Sequence, residues 1–151
     1  SVAAPTAGLH FTPEVLDACS RAGAAIAYVT LHVGLGTFQP LNSEVVEQVK
    51  LHEELYSAGE HALDEIARAK RVVAVGTTSV RTLETYARTR RRAGETNLYI
   101  YPGFEFQLTG AMLTNFHLPK SSLLLLVCAF GGTKFVMDAY RHAVAEKYRF
   151  F

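Results

Sequence analysis

Regular patterning begins at Thr12-Pro13, where a capping hydroxyl precedes a proline suited to the first helical position. Val15, Leu16, Ala18 and Cys19 then recur at helical spacing, and Gly23 ends the run. Residues 24–33 alternate and are rich in Ile, Val, Tyr and Thr, which predicts a strand. A short helix is expected from Asn42 or Ser43 through Gln48, and Leu51–Ser57 is ambiguous between loop and short strand. Glu60–Lys70 returns to a helical stripe through Leu63, Ile66 and Ala67. Arg71–Val75 is an apolar strand, and Val80–Arg90 a helix with Val80, Leu83 and Ala87 inward. Asn97–Tyr101 predicts a strand, while Phe104–Leu108 and Ala111–Thr114 predict a hairpin turning at Thr109-Gly110. Leu123–Phe130 is apolar on every side, so a buried helix, with Ser121 or Ser122 to cap it and Gly131-Gly132 to end it. Lys134–Lys147 closes the chain as an amphipathic helix, with Phe135, Val136, Ala139, Tyr140, Ala143 and Val144 inward.

Strands alternating with helices predict an α/β fold: a three-layer domain with a mostly parallel, mixed sheet and helices on both faces. In such sheets ligands bind beyond the carboxyl ends of the strands. The loops after Val33 and Val75 and the Asn115–Ser122 loop are therefore expected to line one cleft.

Composition narrows the picture. A chain of 151 residues, 49% hydrophobic, suffices for one domain with a real core. The net charge of +1 gives no global attraction for nucleic acid, so any RNA contact rests on a local patch. Cys19 and Cys128 lie on separate apolar helical stretches and are expected to be free thiols in a reducing compartment. The six histidines show no metal-ligand spacing. There is no Walker loop, nucleophile elbow or dinucleotide fingerprint.

Three stretches carry candidate chemistry. Thr114–Ser122 offers the amide of Asn115, the imidazole of His117 and the ammonium of Lys120, in a segment stiffened by Pro119. Lys120 stands on the unfavourable side of the following helix's dipole, which makes sense if an anion binds between them; the alternative is a surface loop with an incidental lysine. Gly76–Arg81 puts the hydroxyls of Thr77, Thr78 and Ser79 and free N–H groups at a helix start, a cradle for phosphate, carboxylate or ribose. Arg81 is misplaced there unless it meets an anion or pairs with Glu84 or Glu65. Gly34-Leu35-Gly36-Thr37 lets the backbone turn tightly or approach a ligand. His10, His32 and His117 lie in or beside Gly- or Pro-bearing loops, where each reads either as a ligand-facing ring or as a satisfied structural histidine. His52 and Glu54 share a face if extended, as an acid–base pair would. Residue chemistry alone indicates an α/β enzyme domain with a site for a polar, nucleotide-like ligand.

Residues 4–12 (APTAGLHFT), 30–40 (TLHVGLGTFQP), 75–84 (VGTTSVRTLE), 114–122 (TNFHLPKSS) and 139–151 (AYRHAVAEKYRFF) go further. Together they resemble the S-adenosylmethionine:tRNA ribosyltransferase-isomerases of queuosine biosynthesis. The resemblance implies transfer of the ribosyl part of S-adenosylmethionine to 7-aminomethyl-7-deazaguanine at the tRNA wobble position. Epoxyqueuosine forms, and adenine and methionine are released. It implies no metal and no redox cofactor; S-adenosylmethionine is the donor substrate, tRNA the partner, with no membrane, a cytoplasmic location and a monomeric state. A base must take the ribose proton acidified by the sulfonium, and adenine must leave with help, so His10, His32 and His117 are the catalytic shortlist. Phe11, Gly34, Gly36, Thr37, Thr77, Thr78, Ser79, Arg81, Asn115 and Lys120 are the expected substrate-binding residues. Arg88, Arg90, Arg91, Arg92 and Lys134 are candidate RNA-backbone contacts. The family is about twice as long. Residues 1–151 are thus expected to be its major α/β catalytic domain, without the N-terminal segment, the β-barrel-like domain and the C-terminal tail. Val49 also stands where members often carry histidine. The alternative is an inactive S-adenosylmethionine- or tRNA-binding fragment that needs the missing segments.

Overall fold

The computed structural model describes residues 4–34 and 46–150. The helices are α1 (Pro13–Arg21), α2 (Glu60–Arg68), α3 (Thr77–Thr89), α4 (Ser122–Gly131) and α5 (Thr133–Ala145). The strands are β1 (Val29–Leu31), β2 (Glu54–Ala58), β3 (Val72–Val75), β4 (Ala93–Thr96) and β5 (Thr109–Leu113). Local signals explain the helix ends. Thr12 accepts a hydrogen bond from the Val15 N–H ahead of Pro13, and Ser121 accepts one from Leu124. Gly132, at φ 82°, ends α4. The start of the helix expected through Gln48 lies outside the described residues; Val46–Gln48 is a 3-10 turn.

The elements form an α/β fold, with β1-β2-β4 as one sheet and β3-β5 as another. The expected mostly parallel sheet is corrected here. Among the described residues β1–β2 and β2–β4 are antiparallel, and only β3–β5 is parallel. For β4 the direction is set at the turn after α3. Arg90 takes a left-handed conformation, φ 57°, and the chain reverses to set Ala93 opposite Ser57, so β4 runs against β2.

The strand expected at Asn97–Tyr101 is instead irregular chain whose Ile100 is buried, and the strand precedes it at Ala93–Thr96. The hairpin at Thr109-Gly110 is absent: both residues belong to β5. Between Val72↔Thr109 and Val73↔Ala111 the register shifts, with Gly110 as the extra residue. A Cβ on Gly110 would stand 3.1 Å from Arg71 Cγ and 3.4 Å from the Val72 carbonyl oxygen, so this glycine permits close strand approach and does not make a turn.

Helix α3 touches all five strands. Its Val80 and Leu83 meet Ala74 of β3, Ile100 and Leu126 of α4 in the core, edged by Phe104, Phe106 and Met112. The predicted inner faces of two helices need revision. Ala62, not Ala67, is the buried residue of α2. In α5, Val136 and Ala143 are buried, whereas Phe135, Ala139 and Val144 are exposed. Cys19 and Cys128 are both unpaired, as expected. No single helix among the described residues is long and apolar enough to cross a membrane; α4 and α5 pass that test only as a pair bent by 116°.

Candidate functional site

Two of the three expected loops meet because β3 and β5 are parallel neighbours whose carboxyl ends lie side by side, with Val75 opposite Leu113. The Gly76 N–H donates to the Leu113 carbonyl at 2.8 Å, tying the start of α3 to the start of the Thr114–Ser121 loop. Gly76 needs its φ of 91°, and no side chain caps the helix that follows. The first N–H groups of α3 thus form an uncapped, electropositive helix start at a strand end. The N-terminal loop arrives here too: a Cβ on Gly76 would stand 3.8 Å from Ala7 Cβ. Ala7 precedes the 3-10 turn Gly8–His10, so His10 and half-buried Phe11 follow directly from this contact, with His10 exposed. Thr77 is buried and Thr78 half-buried, while Ser79 turns its hydroxyl back to donate to the Val75 carbonyl at 2.8 Å.

Of the loop after Val33 only Gly34 is described, and it is tied to α3 through β2. Buried Glu54, at the start of β2, accepts from the Gly34 N–H at 2.9 Å through Oε1 and from Arg81 Nη1 through Oε2. Arg81 is likewise buried and donates through Nε to the Leu98 carbonyl at 3.2 Å. Its partner is therefore Glu54, neither Glu84 nor Glu65. Its Nη2 is buried without an acceptor among the described residues. His52 is exposed and lies outside the strand, so the side-by-side placement suggested for it and Glu54 does not form. Gly36 and Thr37 lie outside the described residues. His32 is exposed, and its N–H donates to the Leu55 carbonyl at 2.8 Å.

In the Thr114–Ser121 loop His117 is buried. Its Nε2 lies 3.1 Å from Thr114 Oγ1, and its backbone N–H donates to the Tyr140 hydroxyl at 2.8 Å. Burial lowers the imidazole pKa to about 4, so the ring is neutral at pH 7. Phe116 stacks on Phe150, with centroids 5.1 Å apart, and meets Tyr140 edge-on at 5.0 Å. The C-terminal residues therefore brace this loop. Asn115 is half-buried and Lys120 exposed. Lys120 has φ 57° and stands just before α4; the other left-handed non-glycine residues described, Arg90 and Lys147, follow helix ends.

Among the candidate RNA contacts, Arg88 is committed internally. It pairs with Glu84 at 2.9 Å, donates to the Glu105 carbonyl at 2.6 Å and covers the Phe104 ring at 4.1 Å. Arg92 pairs with Glu60 at 3.5 Å and Lys134 with Asp138 at 2.9 Å. Arg90 and Arg91 are exposed. Sequence reasoning named Glu54 beside His52 and Glu84 as a partner for Arg81, but missed the burial and the actual partners of both: Glu54 takes Gly34 and Arg81, Glu84 takes Arg88 and residues 107–109. The signal for the burial of Glu54 was its place opening an alternating ELYSA segment.

Comparison with known proteins fits this geometry. A crystal structure of S-adenosylmethionine tRNA ribosyltransferase from Thermotoga maritima superposes with a TM-score of 0.79 at 47% identity, covering 96% of this chain and 48% of that one. Proteins named S-adenosylmethionine:tRNA ribosyltransferase-isomerase are 64% identical over 151 residues in Solibacter usitatus and 54% identical over 158 residues in Thermotoga petrophila. Each match takes in 100% of this chain but only 43% and 47% of those relatives, so the chain spans about half their length. The family described as queuosine biosynthesis protein matches residues 1–151. With its full length matched, this chain belongs to that family.

Proposed function

We propose that this chain is the major α/β catalytic domain of a cytoplasmic S-adenosylmethionine:tRNA ribosyltransferase-isomerase. It transfers and isomerises the ribosyl group of S-adenosylmethionine onto 7-aminomethyl-7-deazaguanine in tRNA. The observation that carries the reading is the uncapped start of α3, bonded through Gly76 to the strand end that leads into Asn115 and His117. An anionic group, here the methionine carboxylate, is favoured at those N–H groups, with Arg81 Nη2 as a further donor. Phe11, Gly34, Thr77, Thr78 and Asn115 surround the donor, and Lys120 faces a carboxylate or a tRNA phosphate. Gly36 and Thr37 are included on the family resemblance. His117, neutral through burial, serves as a hydrogen-bonding group for the departing adenine. Removal of the ribose proton falls to exposed His10 or His32. The reading needs no metal or redox cofactor.

Incubation of the chain with S-adenosylmethionine and substrate tRNA is expected to release adenine in step with tRNA modification. The length relative to the family favours one second reading, a binding fragment that requires the remaining half. S-adenosylmethionine binding without adenine release decides for that reading; neither binding nor release overturns both.

A further inference from the structure

We propose that Glu54 is a positioning residue of the donor site: its one carboxylate holds Gly34 and Arg81 together across the junction of β1, β2 and α3. The inference deepens the S-adenosylmethionine reading and rests on it. Glu54 and Arg81 are each 3% exposed. Oε1 takes the Gly34 N–H and Oε2 takes Arg81 Nη1, while Arg81 Nε reaches the Leu98 carbonyl. The end of β1, the second turn of α3 and the chain after β4 are thus fixed by one ion pair.

Such a pair is a poor source of stability, because desolvating two charges offsets most of their attraction, and apolar residues of similar volume often do as well. An apolar pair, however, leaves the Gly34 N–H without its acceptor and offers no guanidinium to a ligand. What the pair supplies is orientation. A second observation points to a ligand. Arg81 Nη2 is buried and lacks an acceptor among the described residues, and a buried donor left unpaired is disfavoured. With Nη1 and Nε both anchored, the direction of Nη2 is set before any ligand arrives. An oxygen of an anionic group completes it without a cost for ordering the arginine.

The test uses the 151-residue chain and two variants. Glu54→Asp keeps the charge but shortens the reach. Glu54→Gln keeps the reach and removes the charge. In Glu54→Asp, amide exchange at Gly34 is expected to accelerate at least tenfold relative to Leu126 in α4. S-adenosylmethionine affinity, measured by calorimetry at a temperature where the variant is fully folded, should fall at least tenfold. Glu54→Gln should weaken binding at least as much. Parent-like exchange at Gly34 in Glu54→Asp overturns the clamp. Released Gly34 with parent-like affinity overturns its positioning role, as does a loss of affinity that only follows the thermal midpoint. Failure of the parent chain to bind S-adenosylmethionine overturns the donor-site reading instead, and Gly34 exchange alone then decides the clamp.

Discussion

At His117 the protein holds an imidazole neutral that water would partly protonate. The unfolded ring titrates near 6.5, the folded one at about 4, because burial disfavours the cation. As pH falls between those values the unfolded chain takes up the proton first. The stability associated with the neutral ring is therefore complete above about pH 6.5 and drains toward pH 4, by up to about 3 kcal/mol. The thermal midpoint should drop over that interval, and in His117→Gln it should drop less; parallel curves would show that another group is responsible. The sequence revealed the Pro119-stiffened loop and its histidine, because proline acts locally. It did not reveal the ring's burial, in a loop whose backbone and neighbouring Phe116 are held by Tyr140 and Phe150, more than twenty residues away.

Among the elements, α3 shows most clearly where sequence reading stops. Its apolar stripe was legible from spacing, and Val80, Leu83 and Ala87 are all buried. Glu84, on the same helix, reads in sequence at most as a partner for Arg81 and is fully buried on other partners. It accepts from the N–H groups of Gln107 at 2.9 Å, Leu108 at 3.1 Å and Thr109 at 2.9 Å, and pairs with Arg88. Burial alone would raise its pKa; the N–H groups of Gln107, Thr109 and Leu108, with Arg88, hold it below the usual carboxylate range. Its contribution is thus present above the unfolded carboxyl pKa and is lost as pH falls through the lower, folded value. Glu84→Ala leaves three backbone donors and one guanidinium without their carboxylate. It should destabilise the chain by about 3–5 kcal/mol at pH 7, read from the urea midpoint, with the gap narrowing in acid. A loss under 1 kcal/mol would mean that water replaces the carboxylate. The same distance in sequence explains the misread hairpin: Gly110 resembles a turn until β3 is laid beside it.

For the whole molecule, the α/β class followed from alternating patterns, whereas the pairing did not. β4 contains Gly94 and Glu95, weak strand formers that pair only because β2 lies alongside. Charge likewise has to be read in place. With a net charge of +1 and Arg88 engaged inside, the exposed cations at the end of α3 reduce chiefly to Arg90 and Arg91. If they meet the tRNA backbone, replacing both with alanine should lower affinity and flatten its salt dependence by about one logarithmic unit of slope per arginine. An unchanged slope would move the RNA contact elsewhere.

The Glu84 carboxylate also makes the seating of β5 depend on α3. The parallel pair β3–β5 is separated by the whole of α3 and β4, so strand closure must wait for a distant segment. The group that receives the start of β5 sits on the helix that precedes it in the chain. In the folded chain the register of Thr109–Leu113 beside β3 is thus held from two sides, by the strand and by the helix. The helix is more than the crossover that makes a parallel pairing possible: its carboxylate fixes where the partner strand begins.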